Sequence, residues 1–421
     1  MNTFRCVLLA GLLAGVSRAG TVPAEPDGLL TLEQALALVA AHQPELALAR
    51  LDVAAAEGRR QQAGLLPNPT LAAEAENFGG RGDRTGTAVT EYTVQLEQPL
   101  ELGGKRGKRV RVAECERQLA AFDLAAAQLE AQAETRRRFT ALLAAQARVA
   151  LEEEQLALTE EFCRAADLRV KAGRASPLES TRAQIELTKQ RVAREQAVAA
   201  RQAARVQLAA LWNSVMPRFT TAAGEVQELP ELRALDQLLP ELPRNPDVAR
   251  HIMEVEQRRA ALEVVRAARI PDLNASAGMR WFNDNNEYAF VAGLSLPLPV
   301  FDRQQGALRE ATALLLKAEQ AQRAALVRAQ TALTTAHQNL AAARAKALAL
   351  QNEIVTGAEQ TLAATRAGYA QGKFAYLDVL EAQRTLGEAR LARLDALAEC
   401  RQAASDIQRL ISPSTIQFER K

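Results

Sequence analysis

The chain has 421 residues and nearly balances 52 basic against 50 acidic side chains, so no global field draws it to nucleic acid. Aromatics are only 4% of the residues, while alanine, leucine, arginine, glutamine and glutamate fill long tracts. That composition argues against a large aromatic core and for long helices in close, small-residue contact.

Residues 1–19 have the form of a signal peptide: Arg5, an apolar run from Val7 to Val16, then Ser17-Arg18-Ala19 as a small-x-small cleavage site. The run is too short for a permanent membrane anchor, and no later stretch is long and apolar enough for a membrane-spanning helix. An exported chain of this kind enters a membrane only as a β-barrel.

Residues 20–230 form a first repeat. A helix ends before Pro67, and strands are expected at about 71–78 and 88–98. In the second of these, Tyr92, Val94 and Leu96 alternate with Glu91, Thr93, Gln95 and Glu97, the period-two pattern of a sheet with one apolar and one wet face. The next segment, "LELGGKRGKR", lacks the Ser or Thr that a phosphate-binding loop places after its lysine. A strand-to-helix joint fits better: Pro99 ends the ladder, Gly103 and Gly104 permit an unusual turn, and the basic cluster starts a helix in water. Helices are expected over 108–171 and 177–212, joined by a tip carrying Gly173, Pro177 and Glu179.

Residues 231–421 repeat the plan: a helix before Pro271, strands at 273–282 and 287–296, a joint at Pro297 and Pro299, and helices over 306–370 and 376–411 about a turn at Gly372. The duplication shows directly. An offset of 202 sets Pro44-Glu45-Leu46-Ala47 on Pro246-Asp247-Val248-Ala249, and an offset of 199 sets Gly173, Leu178, Ala183, Gln184 and Leu187 on Gly372, Leu377, Ala382, Gln383 and Leu386. Proline-free helices of roughly 60 residues would each reach about 90 Å.

The strands are about ten residues long, which suits a tilted membrane crossing. Phe78, Tyr92, Trp281, Phe282, Tyr288 and Phe290 gather there as interfacial girdles would. A soluble four-stranded sheet would show the same alternation. Four strands cannot close a barrel, because closed membrane barrels begin at about eight, so edge closure requires several copies.

No catalytic constellation emerges. His42, His251 and His337 lie far apart, and GxSxG and HExxH are absent. Cys6, Cys115, Cys163 and Cys400 are scattered singly, against a zinc site or a disulfide framework. No enzyme activity, cofactor or metal site is expected. The Arg81-Gly82-Asp83 triplet falls in a short polar loop, where it needs no adhesive role.

"LLPNPTL", "LEQPLELGGKR", "LPLPVFDRQQG" and "YLDVLEAQRTL", in this order, resemble the TolC-type outer-membrane efflux proteins over nearly the whole mature chain. The wording of the second and third is similar to the CzcC-like branch serving heavy-metal efflux pumps. The resemblance implies a homotrimer in the outer membrane of a Gram-negative bacterium, with a 12-stranded barrel in the lipid and a periplasmic α-helical tunnel. It also implies a periplasmic membrane-fusion adaptor and an inner-membrane pump of the resistance-nodulation-division type. The family's aperture tyrosine and acidic positions fall on Tyr369, Asp378 and Glu381, while its basic partner position holds Phe374. Asp378 and Glu381 are three apart and share one helix face; repeated around three chains they would form rings of negative charge that favour cations. A solvated helix face would look the same in sequence. A general drug or secretion duct of this fold and a soluble coiled-coil adaptor remain the other readings.

Overall fold

A computed structural model describes residues 24–413; the signal-peptide assignment lies outside them. In chain order the elements are β1 (Leu29–Leu30), α1 (Leu32–His42), α2 (Pro44–Ala63), β2 (Thr70–Glu76), β3 (Glu91–Leu100), α3 (Lys105–Lys171) and α4 (Pro177–Ala209). β4 (Thr221–Ala222) closes the first repeat, and the second follows as α5 (Leu235–Leu238), α6 (Pro246–Ala268), β5 (Leu273–Phe282), β6 (Glu287–Ser295), α7 (Gln305–Ala349), α8 (Thr356–Ala370) and α9 (Tyr376–Ile411).

The four long strands form one antiparallel sheet in the order β2-β3-β5-β6. Each repeat supplies a hairpin, and the two hairpins join where β3 pairs with β5. The register sets Tyr92 beside Trp281 and Trp281 beside Tyr288, and Val94 beside Met279 and Met279 beside Phe290. Leu71, Ala73 and Ala75 fall on the same face through their pairing with Leu96, Val94 and Tyr92. The period of two thus collects the apolar residues on one face, which no other element covers: Phe290 is 85% exposed and Leu294 74%. The other face is polar, and on it Arg280 bonds Thr93 Oγ1 at 3.0 Å and Glu91 at 2.9 Å and pairs with Glu76 at 3.1 Å. Gly278 lies against β3 so closely that a Cβ would overlap the Val94 carbonyl oxygen. The edges of β2 and β6 pair with no other described strand.

All four strand ends that lead to helices lie at one rim of the sheet, the hairpin turns at the other. Pro99 does not end the ladder as its missing N–H suggested. It sits inside β3 opposite Asn274, and the pairing runs on to Leu100 with Leu273; a proline costs a strand only the one hydrogen bond its N–H would have made. The reversal falls instead at Gly103 and Gly104, at φ of 71° and 69°. A side chain at Gly103 would also strike Ile270 Cδ1, 2.8 Å from the Cβ position. Two members of the basic cluster that follows are tied down, while Arg106 stays exposed. Lys105 Nζ meets Asp272 at 2.7 Å, the Leu102 amide donates to the same carboxylate at 3.0 Å, and Arg109 pairs with Glu101. Asp272 belongs to the second repeat, so this joint fastens the two halves together. Pro297 and Pro299 lie in the coil that leaves β6.

α3 is unbroken over 67 residues, about 100 Å at the α-helical rise. Its buried positions include Ala113, Ala125, Ala131, Ala133 and Ala166, small side chains that let neighbouring helices approach closely. The corresponding helix of the second repeat, expected as one rod over 306–370, is interrupted. Between α7 and α8 a π-helical turn spans Leu350–Val355. The physical reason lies in the two cores it connects. Leu350 packs into a broad cluster around Leu333, Leu340 and Trp212, whereas Val355 packs into a separate cluster around Phe162 and Leu362. One inserted residue rotates the apolar stripe and lets a single helix serve both. At the other end of α4, Ala210–Trp212 is a 3-10 turn that puts Trp212 in the first cluster. There β1 and β4 pair in parallel, docking the start of the chain on the end of the first repeat.

Candidate functional site: the hairpin tips

Two turns close the helical hairpins at the end far from the sheet, and they are built alike. Gly173 stands at φ 67°, its amide bonded to the Val170 carbonyl at 3.0 Å, and the Arg174 amide reaches Arg169 O at 2.9 Å. Gly372 stands at φ 75°, its amide on Tyr369 O at 3.0 Å, and the Lys373 amide reaches Gly368 O at 2.8 Å. These are the bonds with which a left-handed glycine satisfies the last carbonyls of a helix. All four positions repeat at the offset of 199 found in the sequence.

The returning helices start differently. Pro177 is the first residue of α4, and Ser176 Oγ caps the Leu178 amide at 3.3 Å. α9 lacks a polar N-cap; Asp378, three residues in, accepts the Ala375 amide at 2.8 Å instead. Glu179 is the repeat counterpart of Asp378, yet its carboxylate does not turn back to its own helix. It accepts the hydroxyl of Tyr369 from the second repeat.

Tyr369 is almost fully enclosed. Its ring lies 6.2 Å from that of Tyr376, centroid to centroid, and the Arg169 guanidinium sits 4.2 Å from its centre, within cation–π range. Burial, then the Glu179 carboxylate, push the Tyr369 phenol up to about 12; burial likewise pushes Tyr376 to about 12. Both rings rest on Phe162, Ala166, Leu362 and Val379 in the lower core. One turn deeper, Gln383 Nε2 donates to Thr159 Oγ1 at 2.9 Å, a buried polar link between α9 and α3.

The sequence-derived positions therefore divide. Tyr369 and Glu179 come together; Asp378 and Glu381 do not join them but stand exposed on the outer face of α9, Asp378 as a helix cap and Glu381 one turn on. Phe374, at the position where a basic residue was expected, folds back over the end of α8. A Cβ on Gly368 would overlap its ring. Arg169 escaped sequence reasoning, although the offset of 199 places it opposite Gly368. The glycine leaves room for Phe374, and the arginine reaches Tyr369.

The family model for outer membrane efflux proteins matches residues 35–214 and 240–412. The chain belongs to the outer membrane efflux protein family. It is 37% identical over 397 residues to the cobalt-zinc-cadmium resistance protein CzcC of Cupriavidus metallidurans, covering 94% of this chain and 93% of the relative. Among solved structures, a membrane protein from Pseudomonas aeruginosa superposes with a TM-score of 0.78 at 21% identity, over 91% of this chain and 90% of that one. The CmeC outer membrane channel of Campylobacter jejuni gives 0.76 at 16% identity, over 92% and 87%. The two matched segments fall one in each half of the chain. As an outer-membrane efflux protein, the chain has its four-stranded sheet in the bilayer and its helices in the periplasm. No described helix is long and apolar enough to cross a membrane.

Proposed function

We propose that three copies of the chain form the exit duct of a tripartite system that expels heavy-metal divalent cations, together with a periplasmic adaptor and an inner-membrane pump of the resistance-nodulation-division type. The carrying observation is the sheet: apolar on one face, charged on the other, and open at both β2 and β6. Pairing β6 of one copy with β2 of the next satisfies those edges, and three copies suffice for a barrel above the minimum of about eight strands. The polar face with Arg280, Glu76 and Glu91 then lines water. Such a duct performs no chemistry; it supplies a hydrated path while the pump supplies energy. The metal cargo rests on the similarity to the cobalt-zinc-cadmium resistance protein.

At the tips, the Tyr369–Glu179 bond acts as a latch between α8 and α4 that holds the periplasmic mouth at rest. Asp378 and Glu381 give the mouth its cation preference as two stacked rings. The hairpin turns at Gly173 and Gly372 present the adaptor with matching surfaces from each repeat. The deciding experiment is growth of a deletion strain on a panel of metals, drugs and detergents. Selective sensitivity to divalent metals, restored by the gene, is expected. Sensitivity to drugs or detergents alone would keep the duct and reject the cargo.

A further inference from the structure

The rim where the sheet meets the helices carries arginines without partners. At this level most carboxylates are engaged: Glu101 with Arg109, Asp272 with Lys105, and Glu263 with Arg266 at 2.6 Å, leaving Glu310 as an exposed acid beside Arg309. Asp302 is bonded by the Gln304 backbone and side-chain amides at 2.8 and 3.3 Å. Arg106, Arg111, Arg269, Arg303 and Arg309 are exposed, and their guanidinium groups make no hydrogen bond or ion pair among the described residues. They occur at the start of α3, the end of α6 and the start of α7, the segments that continue β3, precede β5 and follow β6. Beside them Ile270, Leu298, Val300 and Phe301 are exposed as well, Phe301 at 91%.

Apolar side chains that continue the lipid-facing band of the sheet, followed at once by uncompensated guanidinium groups, match the order of chemistry met on leaving a bilayer: acyl chain, then phosphate. Between α3 and α6 a cavity of about 480 Å³ opens at the same level. Lys108 and Arg111 line it together with Glu256 and Glu263, whose carboxylates are taken up by Arg259 and Arg266 at 2.6 Å. Arginine suits this place because its planar fork binds phosphate oxygens in pairs.

We propose that this rim is a binding surface for anionic phospholipid headgroups in the periplasmic leaflet, so that the protein selects phosphatidylglycerol-type lipid over zwitterionic lipid around its barrel. The inference rests on the membrane placement of the sheet. It adds a lipid partner of stated charge at a stated edge, continuous with the apolar face and complementary to it in charge. Basic side chains near an anionic lipid surface each strengthen association about fivefold, and salt weakens the effect.

The test uses the full mature protein in phosphatidylcholine nanodiscs with trace spin-labelled phosphatidylglycerol or phosphatidylcholine, comparing the motionally restricted fraction of each. A preference of about fivefold or more for phosphatidylglycerol at low salt is expected, falling as salt rises. The variant Arg106→Gln/Arg269→Gln/Arg303→Gln/Arg309→Gln should bring the ratio close to one. Arg81→Gln/Arg84→Gln, at the hairpin-turn rim, should leave it unchanged. Equal restriction of both lipids by the wild type overturns the proposal, as does a preference insensitive to salt or to the fourfold change. If the fourfold variant loses its oligomer in lipid-free detergent, the rim is a contact between copies and the proposal also fails. Failure of the wild type to enter any nanodisc would instead reject the membrane placement itself.

Discussion

Tyr369 of the second repeat donates its hydroxyl to Glu179 of the first, while Asp378, the repeat counterpart of Glu179, caps its own helix. Two carboxylates at equivalent positions, 199 residues apart, have therefore taken two roles, one joining α4 to α8 and one capping a helix start. The difference follows from what faces each: Glu179 looks onto the enclosed Tyr369 phenol, and Asp378 stands in solvent beside an uncapped amide.

Breaking that bond should loosen the mouth without unfolding the chain. Tyr369→Phe keeps the ring and its contact with Arg169 but removes the donor, at a cost of about 1 kcal/mol to local stability. Single-channel recordings in planar bilayers should show higher resting conductance; unchanged conductance would deny the pair a gating role. The pH dependence has a definite sign. The phenol is raised from its ordinary 10 to about 12, so its contribution is complete below pH 10 and declines as pH climbs toward 12. Wild-type resting conductance should rise over that interval, and Tyr369→Phe should lack the step.

The exposed acids call for a different readout. Asp378→Asn/Glu381→Gln removes both charges from the outer face of α9 while leaving an acceptor for the Ala375 amide. Reversal potentials in a salt gradient should shift toward weaker cation preference. Asp378→Ala alone adds the loss of a cap, about 0.5–1 kcal/mol of helix stability, and should fray the first turn of α9 in hydrogen exchange. Identical selectivity in the double variant would place the acids outside the conduction path.

Gly368 and Phe374 form a pair that can be tested by a cycle. Gly368→Ala forces the Phe374 ring off the end of α8 and should destabilise the tip by roughly 1–3 kcal/mol. Phe374→Ala alone should cost less, because the ring is half exposed. In the double variant the added methyl has room, so the two effects should fall short of additive by at least about 0.5 kcal/mol in thermal unfolding. Strict additivity would show that the ring does not occupy that place.

The joint below the barrel should be sensitive to acid. The Arg109 guanidinium holds the Glu101 carboxyl below its ordinary range. At Asp272 burial acts in the opposite sense, but Lys105 and the Leu102 amide outweigh it and the net shift is downward. Carboxylates lowered in this way add stability above their unfolded values and lose it as pH falls through the depressed ones. Heat resistance of the assembled protein should accordingly drop in that acid range. Asp272→Asn should reproduce part of the loss at neutral pH, about 0.5–1 kcal/mol after solvent screening. No change in the melting transition of that variant would show that the joint is held by packing alone.

Much of this architecture is written in local pattern. The period-two alternation of Tyr92, Val94 and Leu96, the glycines that need a left-handed backbone at 103, 104, 173 and 372, and the offset of 199 between the halves are properties of neighbouring residues. They determine strands, turns and duplication because backbone sterics and side-chain periodicity act over a few residues. Pro99 misled for the same reason. A missing N–H is a local fact, whereas the ladder that carried on past it was decided by the pairing of β3 with β5.

What the tertiary structure alone decided concerns partners distant in the chain. That Glu179 meets Tyr369, that Arg169 covers the same ring, that Asp272 fastens Lys105, and that Phe374 fills the space above Gly368 depend on how two repeats lie against each other. The π turn at Leu350–Val355 belongs here too, because it answers a mismatch between two cores rather than any signal in its own six residues. Duplication supplies equivalent positions; packing one copy on the other makes them unequal, since each carboxylate bonds to whatever donor the other repeat places within reach.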